Sequence, residues 1–199
     1  MVADRAALTD MVSLWLTAGV RILQYRNKQC DARPREALAD CREMVRVAYS
    51  LGVRDQTKLV MNDRADLMLA AEFDGVHVGQ DDLAPESVRG VIGVQRFFGL
   101  SCHNEAQIEA AEATGADYLA IGPIFATGSK ANPDPVVGLE RLRHIRQLTR
   151  KPLVAIGGIT RENAGAVWDC GADSVAVISD LYKEPEKAID EWMTIVRNR

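Results

Sequence analysis

Apolar and polar positions along the chain switch between two periods, and the switch recurs at regular intervals. Short β-type runs, rich in branched aliphatic residues, are predicted near Val20 to Tyr25, Lys58 to Met61, Gly75 to Val78, Phe97 to Leu100, Asp117 to Ile121, Leu153 to Ile156 and Ser174 to Ile178. Between them apolar residues recur at steps of three and four, as one face of a helix requires. Pro34 to Leu51 carries Leu38, Cys41, Val45 and Ala48 in that register. Glu105 to Thr114 is rich in Ala and Glu, with Asn104 placed to cap its start. Pro185 to Val196 opens on a proline, which suits a first helical position because the N–H it lacks would be unpaired there. Trp15, Trp168 and Trp192 fall at helical spacing in amphipathic stretches and read as packing residues.

Strands that alternate with helices imply parallel pairing through helical crossovers. No linker or low-complexity segment interrupts the series, so residues 1–199 are expected to form one domain. Either an open doubly wound sheet or a (β/α)8 TIM barrel would satisfy the alternation. The dinucleotide fingerprint G-x-G-x-x-G, which would favour the open sheet, is absent. Polar residues and glycines gather where nearly every strand ends, and in a barrel all those ends share one face. An open sheet would use only the ends beside one crevice. The barrel is therefore the predicted fold. Its eighth strand would have to come from Met1-Val2-Ala3, so the first strand is expected to be truncated. The strands near Val20 and Ser174 would then be left with an incomplete seam.

Composition narrows the function classes. With 47% hydrophobic and 26% charged residues, the chain matches an ordinary globular protein. A net charge of -4 offers no basic excess to offset phosphates, so nucleic acid is not an expected partner. No apolar run approaches the ~20 residues of a membrane span. The opening residues MVADRAALTD have neither the basic head nor the apolar core of a signal peptide. The expectation is a cytoplasmic protein acting on small molecules, with no membrane partner; a homo-oligomer stays open. Cys30, Cys41, Cys102 and Cys170 form no C-x-x-C pair and read as reduced structural thiols.

Several strand ends carry candidate chemistry. GPIFATGSK presents Thr127, Ser129 and Lys130, two hydroxyls and an ammonium that suit the oxygens of a phosphate; a solvated polar turn is the alternative. AIGGI and VAVIS follow with Gly157, Gly158 and Ser179 after the last two strands, where barrel loops often cradle phosphate on backbone N–H groups. QYRNK puts Gln24, Arg26 and Lys28 in one phase of an alternating strand end, fit to meet an anion. MNDRADL and GVHVGQDDL place Asp63 and one of Asp81 or Asp82 after consecutive strands. There they could share Mg²⁺ with substrate phosphates, or simply cap helices. His77 reads as a packed core histidine.

Taken together, QYRNK, VMNDRADL, GVHVGQDDL, GLSCH, GADYLAIGPIFATGSK, AIGGI and GADSVAVIS resemble, in order and spacing, the signatures of the thiamine-phosphate synthase family. The resemblance runs through essentially the whole chain. It implies a (β/α)8 barrel that joins 4-amino-5-hydroxymethyl-2-methylpyrimidine diphosphate to 4-methyl-5-(2-phosphoethyl)thiazole with Mg²⁺. The products would be thiamine phosphate and pyrophosphate, formed by a dissociative route in which diphosphate leaves first. Carried over by position, Gln24, Arg26, Lys28, Asn62 and Lys130 would hold the pyrimidine diphosphate, and Asp63 and Asp82 would bind Mg²⁺. Ser101 would lie beside the pyrimidine. Thr127 and Ser129, with the backbone at Gly158, Ile178 and Ser179, would hold the thiazole phosphate. Arg26, Lys28, Lys130 and Ser101 are the implied catalytic group.

Two departures stand out. Ser129 occupies a position where the family usually has threonine, which preserves the hydroxyl. Val2-Ala3-Asp4-Arg5 falls where a T-D-R-like turn normally follows a longer first strand. A thiazole tautomerase of the same barrel family is the nearest rival, but it would carry histidine where this chain has Pro123. A phosphate-ligand sensor on a barrel scaffold is a non-enzymatic rival, since fold alone does not fix function.

Overall fold

In a computed structural model, which describes residues 5–128 and 134–199, strands and helices alternate from start to finish. The strands are β1 (Ile22–Tyr25), β2 (Lys58–Asn62), β3 (Gly75–Val78), β4 (Phe97–Cys102), β5 (Tyr118–Ile121), β6 (Leu153–Ile156) and β7 (Ser174–Ala176). The helices are α1 (Arg5–Ala18), α2 (Pro34–Ser50), α3 (Ala65–Ala70), α4 (Pro85–Ile92), α5 (Glu105–Glu112), α6 (Gly138–Leu148), α7 (Ala164–Asp169) and α8 (Pro185–Arg197). The seven strands form one sheet in chain order. Met1 to Ala3, where an eighth strand was expected, and the turn expected at Val2 to Arg5 lie outside the described residues, apart from Arg5, which begins α1. Among the described residues, β1 has β2 as its strand neighbour and β7 has β6.

The chain divides into two compact units. One contains the stretch up to His77 together with Val88–Phe97 and Pro185–Arg199. In it β1 pairs parallel with β2, and β2 with β3. Leu16, Leu59, Met61, Met68 and Phe73 are buried in its core. The other unit contains Val78–Ser87 and Phe98–Glu184, with β4 to β7 paired parallel in succession. Phe98, Ile108, Leu119, Ile121, Leu142 and Ile145 are buried there. β3 and β5 are buried along their whole length, which explains why β5 reads as an apolar run without alternation and why His77 on β3 is a packed residue.

Local signals set the helix ends. The Asn104 side chain accepts a hydrogen bond from the Gln107 N–H at 3.0 Å, capping α5. Pro185 is the first residue of α8, and Pro34 of α2. Trp15 and Trp192 are buried on α1 and α8, and Trp168 is half-buried on α7. The last strand ends at Ala176, two residues short of its predicted end, and β4 continues to Cys102.

A repeated device not anticipated from sequence sets the strand register. Asp74, Asp117 and Asp173 each stand directly before a strand and reach a backbone N–H on the strand before it. Asp74 Oδ2 accepts from Leu59 N, Asp117 Oδ2 from Phe98 N, and Asp173 Oδ2 from Leu153 N, each at 2.7 Å. The N–H of each aspartate returns a bond to the carbonyl of the same partner residue. Arg54 and Arg146 hold the carboxylates of Asp74 and Asp173 at 2.9 and 2.7 Å. Ladder donors left over at the strand starts are thereby satisfied, and a one-residue slip would break both bonds of each clamp. No described helix is long and apolar enough to cross a membrane.

Candidate functional site

The loops after β1 and β2 belong to the first unit. Gln24 lies on β1 and is exposed, Tyr25 is buried, and Arg26 and Lys28 are exposed on either side of half-buried Asn27. The ladder stops at Tyr25, so the strand pleat does not place the two cations as the sequence suggested; Lys28 sits in the turn that follows. A chain of hydrogen bonds ties the loop. The Tyr25 hydroxyl donates to Asp40 Oδ2 at 2.9 Å, Asn27 Nδ2 donates to the Tyr25 hydroxyl at 3.2 Å, and the Gln29 N–H donates to Asn27 Oδ1 at 2.9 Å. Burial, above all, raises the Tyr25 phenol well beyond its ordinary pKa, so it remains a donor to Asp40.

Asn62 closes β2, and Asp63 follows it in the left-handed region at φ 63°. Few residues other than glycine adopt that conformation, Asp among the more tolerant. The Asp63 N–H donates to the His77 carbonyl at 2.8 Å, which holds the turn against β3, where His77 itself is buried. The cap position of α3 is Arg64, with no side-chain cap bond, and the acid of its first turn is Asp66. Asp63 thus stands one residue before the cap position of α3. Its Oδ2 lies 3.1 Å from Lys28 Nζ, so the loops after β1 and β2 are joined by an ion pair.

In the second unit, Asp82 Oδ2 accepts the Gly79 N–H at 2.7 Å and so closes the turn after β3 instead of capping α4. Asp82 Oδ1 makes no hydrogen bond to a described residue, and Asp81 beside it is exposed. Gln80 Nε2 donates to the Ser101 carbonyl at 2.6 Å, fixing the half-buried end of β4. The neighbouring Cys102 thiol is pushed up to about 12 by burial, which leaves it neutral and a poor nucleophile. All four cysteines are free and buried. Thr127 is half-buried in the loop after β5, while Ser129 and Lys130 lie outside the described residues.

The loops after β6 and β7 present backbone donors. Gly157 and Gly158 take φ of 95° and 65°, and a Cβ on Gly158 would come within 2.6 Å of the Ala126 carbonyl oxygen, so only glycine fits. The Gly157 carbonyl accepts from the Phe125 N–H at 3.0 Å and the Gly158 carbonyl from Asn163 Nδ2 at 3.0 Å. In a trans peptide the N–H points opposite to its carbonyl. The Gly158 and Ile159 N–H groups are thus turned the other way, and neither reaches an acceptor among the described residues. The Ile178 and Ser179 N–H groups, just beyond β7, also reach no described acceptor. Asn163, Arg161 and Asp180, which frame these loops, carry no motif of their own and were not singled out from sequence.

The described residues hold no group of three or more His, Cys, Asp or Glu side chains arranged for a metal ion. Mg²⁺ does not need one: it commonly takes one or two carboxylates and completes its shell with water and substrate phosphate. Asp63 and Asp82 fit that donor chemistry.

A parallel α/β fold of barrel type, with cations, carboxylates and backbone donors that meet no described acceptor at its strand ends, suits the chemistry of enzymes that bind phosphorylated small molecules. Within that class the comparisons are specific. The family model described as thiamine monophosphate synthase matches residues 1–181. The chain is 54% identical over 193 residues to the thiamine-phosphate synthase of Koribacter versatilis, covering 97% of this chain and 88% of that protein. It is 40% identical over 184 residues to the thiamine-phosphate synthase of Roseiflexus sp., covering 92% and 75%. The solved thiamine phosphate pyrophosphorylase of Pyrococcus furiosus superposes with a TM-score of 0.83 at 32% identity, covering 96% of this chain and 89% of that one. The chain belongs to the thiamine monophosphate synthase family.

Proposed function

We propose that the protein is a thiamine-phosphate synthase. It joins 4-amino-5-hydroxymethyl-2-methylpyrimidine diphosphate to 4-methyl-5-(2-phosphoethyl)thiazole and releases pyrophosphate, acting in the cytoplasm as one catalytic domain. The observation that carries this reading is the set of N–H donors at Gly158, Ile178 and Ser179 that meet no acceptor among the described residues, on a chain whose relatives bear that name. Such donors suit the phosphate of the thiazole, with the Thr127 and Ser129 hydroxyls as further partners.

The diphosphate belongs to the cationic side. Gln24, Arg26, Lys28, Asn62 and Lys130 hold it, and Ser101 lies beside the pyrimidine ring. The bond between the pyrimidine methylene carbon and the diphosphate oxygen breaks with its electron pair leaving on oxygen. The thiazole nitrogen then donates its lone pair to the methylene carbon, forming the new C–N bond. Charge builds on the departing oxygens, so Arg26, Lys28 and Lys130 stabilise the transition state more than the bound substrate. Mg²⁺, held by Asp63 and Asp82, supplies further neutralisation of the diphosphate when bound. No proton is abstracted in forming the C–N bond, which agrees with a buried, neutral Cys102 and with proline at position 123.

Purified protein given both substrates and Mg²⁺ should form thiamine phosphate and pyrophosphate in equal amounts. Folded protein that forms no thiamine phosphate at any Mg²⁺ concentration would overturn the assignment, and isomerisation of a thiazole without pyrimidine substrate would favour the tautomerase. Lys130→Ala should lower kcat by roughly 10²–10³, as removal of a preorganised charge stabiliser does.

A further inference from the structure

The loops after β6 and β7 are held by side chains outside the proposed binding set. Asn163 works on the first loop from within. Its Nδ2 donates to the Gly158 carbonyl at 3.0 Å, and its Oδ1 accepts the Thr160 N–H at 2.9 Å. One amide thus fixes the peptide plane between Gly158 and Ile159 and the start of the turn beyond it. That plane would otherwise rotate easily, because Gly158 has no Cβ to restrict it.

Asp180 ties this loop to the next. Its Oδ2 accepts Arg161 Nε at 3.0 Å and the Arg161 backbone N–H at 3.3 Å. Both side chains are largely buried, at 21% exposure for Arg161 and 11% for Asp180. Asp180 directly follows Ser179, so the carboxylate that grips the β6 loop is one residue from the β7-loop N–H groups that meet no described acceptor. An exposed ion pair contributes little, whereas one shielded to this degree and doubled by a backbone bond holds a defined geometry.

We propose that Asn163, Arg161 and Asp180 are positioning residues for the thiazole phosphate. Asn163 sets the direction of the Ile159 N–H next to the Gly158 donor, and the Arg161–Asp180 pair sets the distance of that loop from the Ile178 and Ser179 donors. The inference rests on the synthase reading for the identity of the phosphate. Donors for an anion act at full strength only when held in place before it arrives. Loosening either tie should therefore weaken the phosphate contact and leave the pyrimidine diphosphate contacts unchanged.

The test compares Asn163→Asp and Asp180→Asn, both nearly isosteric, with wild type. Asn163→Asp keeps the acceptor for Thr160 but loses the donor to Gly158. Asp180→Asn keeps an oxygen but loses the charge. Each should raise KM for the thiazole phosphate about tenfold, with kcat at saturation and KM for the pyrimidine diphosphate within about twofold, as expected when uniform binding is lost. Calorimetric titration should show the same weakening for 4-methyl-5-(2-phosphoethyl)thiazole and none for its unphosphorylated alcohol. Arg161→Lys should restore part of the affinity lost in Arg161→Ala. Equal thiazole phosphate affinity in folded variants and wild type would overturn the proposal. So would equal weakening toward both substrates, which marks a general structural role. If wild type binds thiazole phosphate but makes no product, the synthase reading falls while the titrations still decide the positioning roles. If it binds none, both fall.

Discussion

Lys28 Nζ and Asp63 Oδ2 lie 3.1 Å apart, so a proposed diphosphate-binding cation and a proposed metal-binding carboxylate are paired with each other. Lys28 is 63% exposed, and pairs of that kind contribute at most about 1 kcal/mol. Such a pair holds both groups near their working positions and is cheap to open when a diphosphate and a cation compete for them.

Lys28→Met should therefore separate activity from stability. The thermal midpoint should move by no more than about 2–4 °C, while kcat/KM for the pyrimidine diphosphate falls by roughly 10–10²-fold. Thermal melts and steady-state kinetics on one preparation read both. A large loss of stability with little loss of activity would make Lys28 a structural staple.

The carboxylates are separable by metal dependence. Asp63→Asn and Asp82→Asn should each raise the Mg²⁺ concentration giving half-maximal activity, and Asp81→Asn should leave it nearly unchanged. Mg²⁺ titrations of the three variants check this; identical curves would return both aspartates to purely local roles.

The register clamp predicts where stability is concentrated. Asp74→Ala would strip partners from Arg54 and from the N–H of fully buried Leu59. The expected loss is about 2–4 kcal/mol, with a fall of roughly 5–15 °C in thermal midpoint. Asp74→Asn keeps an acceptor oxygen and should lose less. Chemical denaturation of both variants gives the ordering.

Acid should weaken the tie between α5 and α6. The Arg141 guanidinium, bonded to Glu105 at 2.6 and 3.0 Å, lowers the Glu105 carboxyl from 4.5 to about 2. A depressed acid stabilises the fold fully above its unfolded pKa and loses that contribution as pH falls through the folded one. Wild type should exceed Glu105→Gln in thermal midpoint above about pH 4.5, and the difference should shrink toward pH 2. A difference that stays constant with pH would remove the ion pair as its cause.

Much of the architecture was legible because it depends on local pattern. β3 and β6, short runs each stopped by a glycine (Gly79 and Gly157), were read with the boundaries observed. Asn104 and Pro185 act on their own helices and were found where they act. The QYRNK, MNDRADL and AIGGI segments were recognisable because short-range order places their residues at strand ends. Ser129 and Lys130, read in the same way, lie outside the described residues.

Other features depend on partners far away in the chain. Asp74 reaches Leu59, Asp117 reaches Phe98 and Asp173 reaches Leu153 only after neighbouring strands align, so no local pattern separates these clamps from ordinary turn acids. Lys28 meets Asp63 across 35 positions, and Asp180 meets Arg161 across 19. The turn, not the pleat, sets Lys28 outward, and Gly79, not α4, engages Asp82. The sequence by itself determined the alternation of elements, the glycines that admit positive φ and the chemical types at each strand end, because these are properties of single residues and short periods. Only the tertiary structure decided which backbone donors meet no described acceptor and which side chains tie their loops, because direction and distance exist only once separate loops are held together.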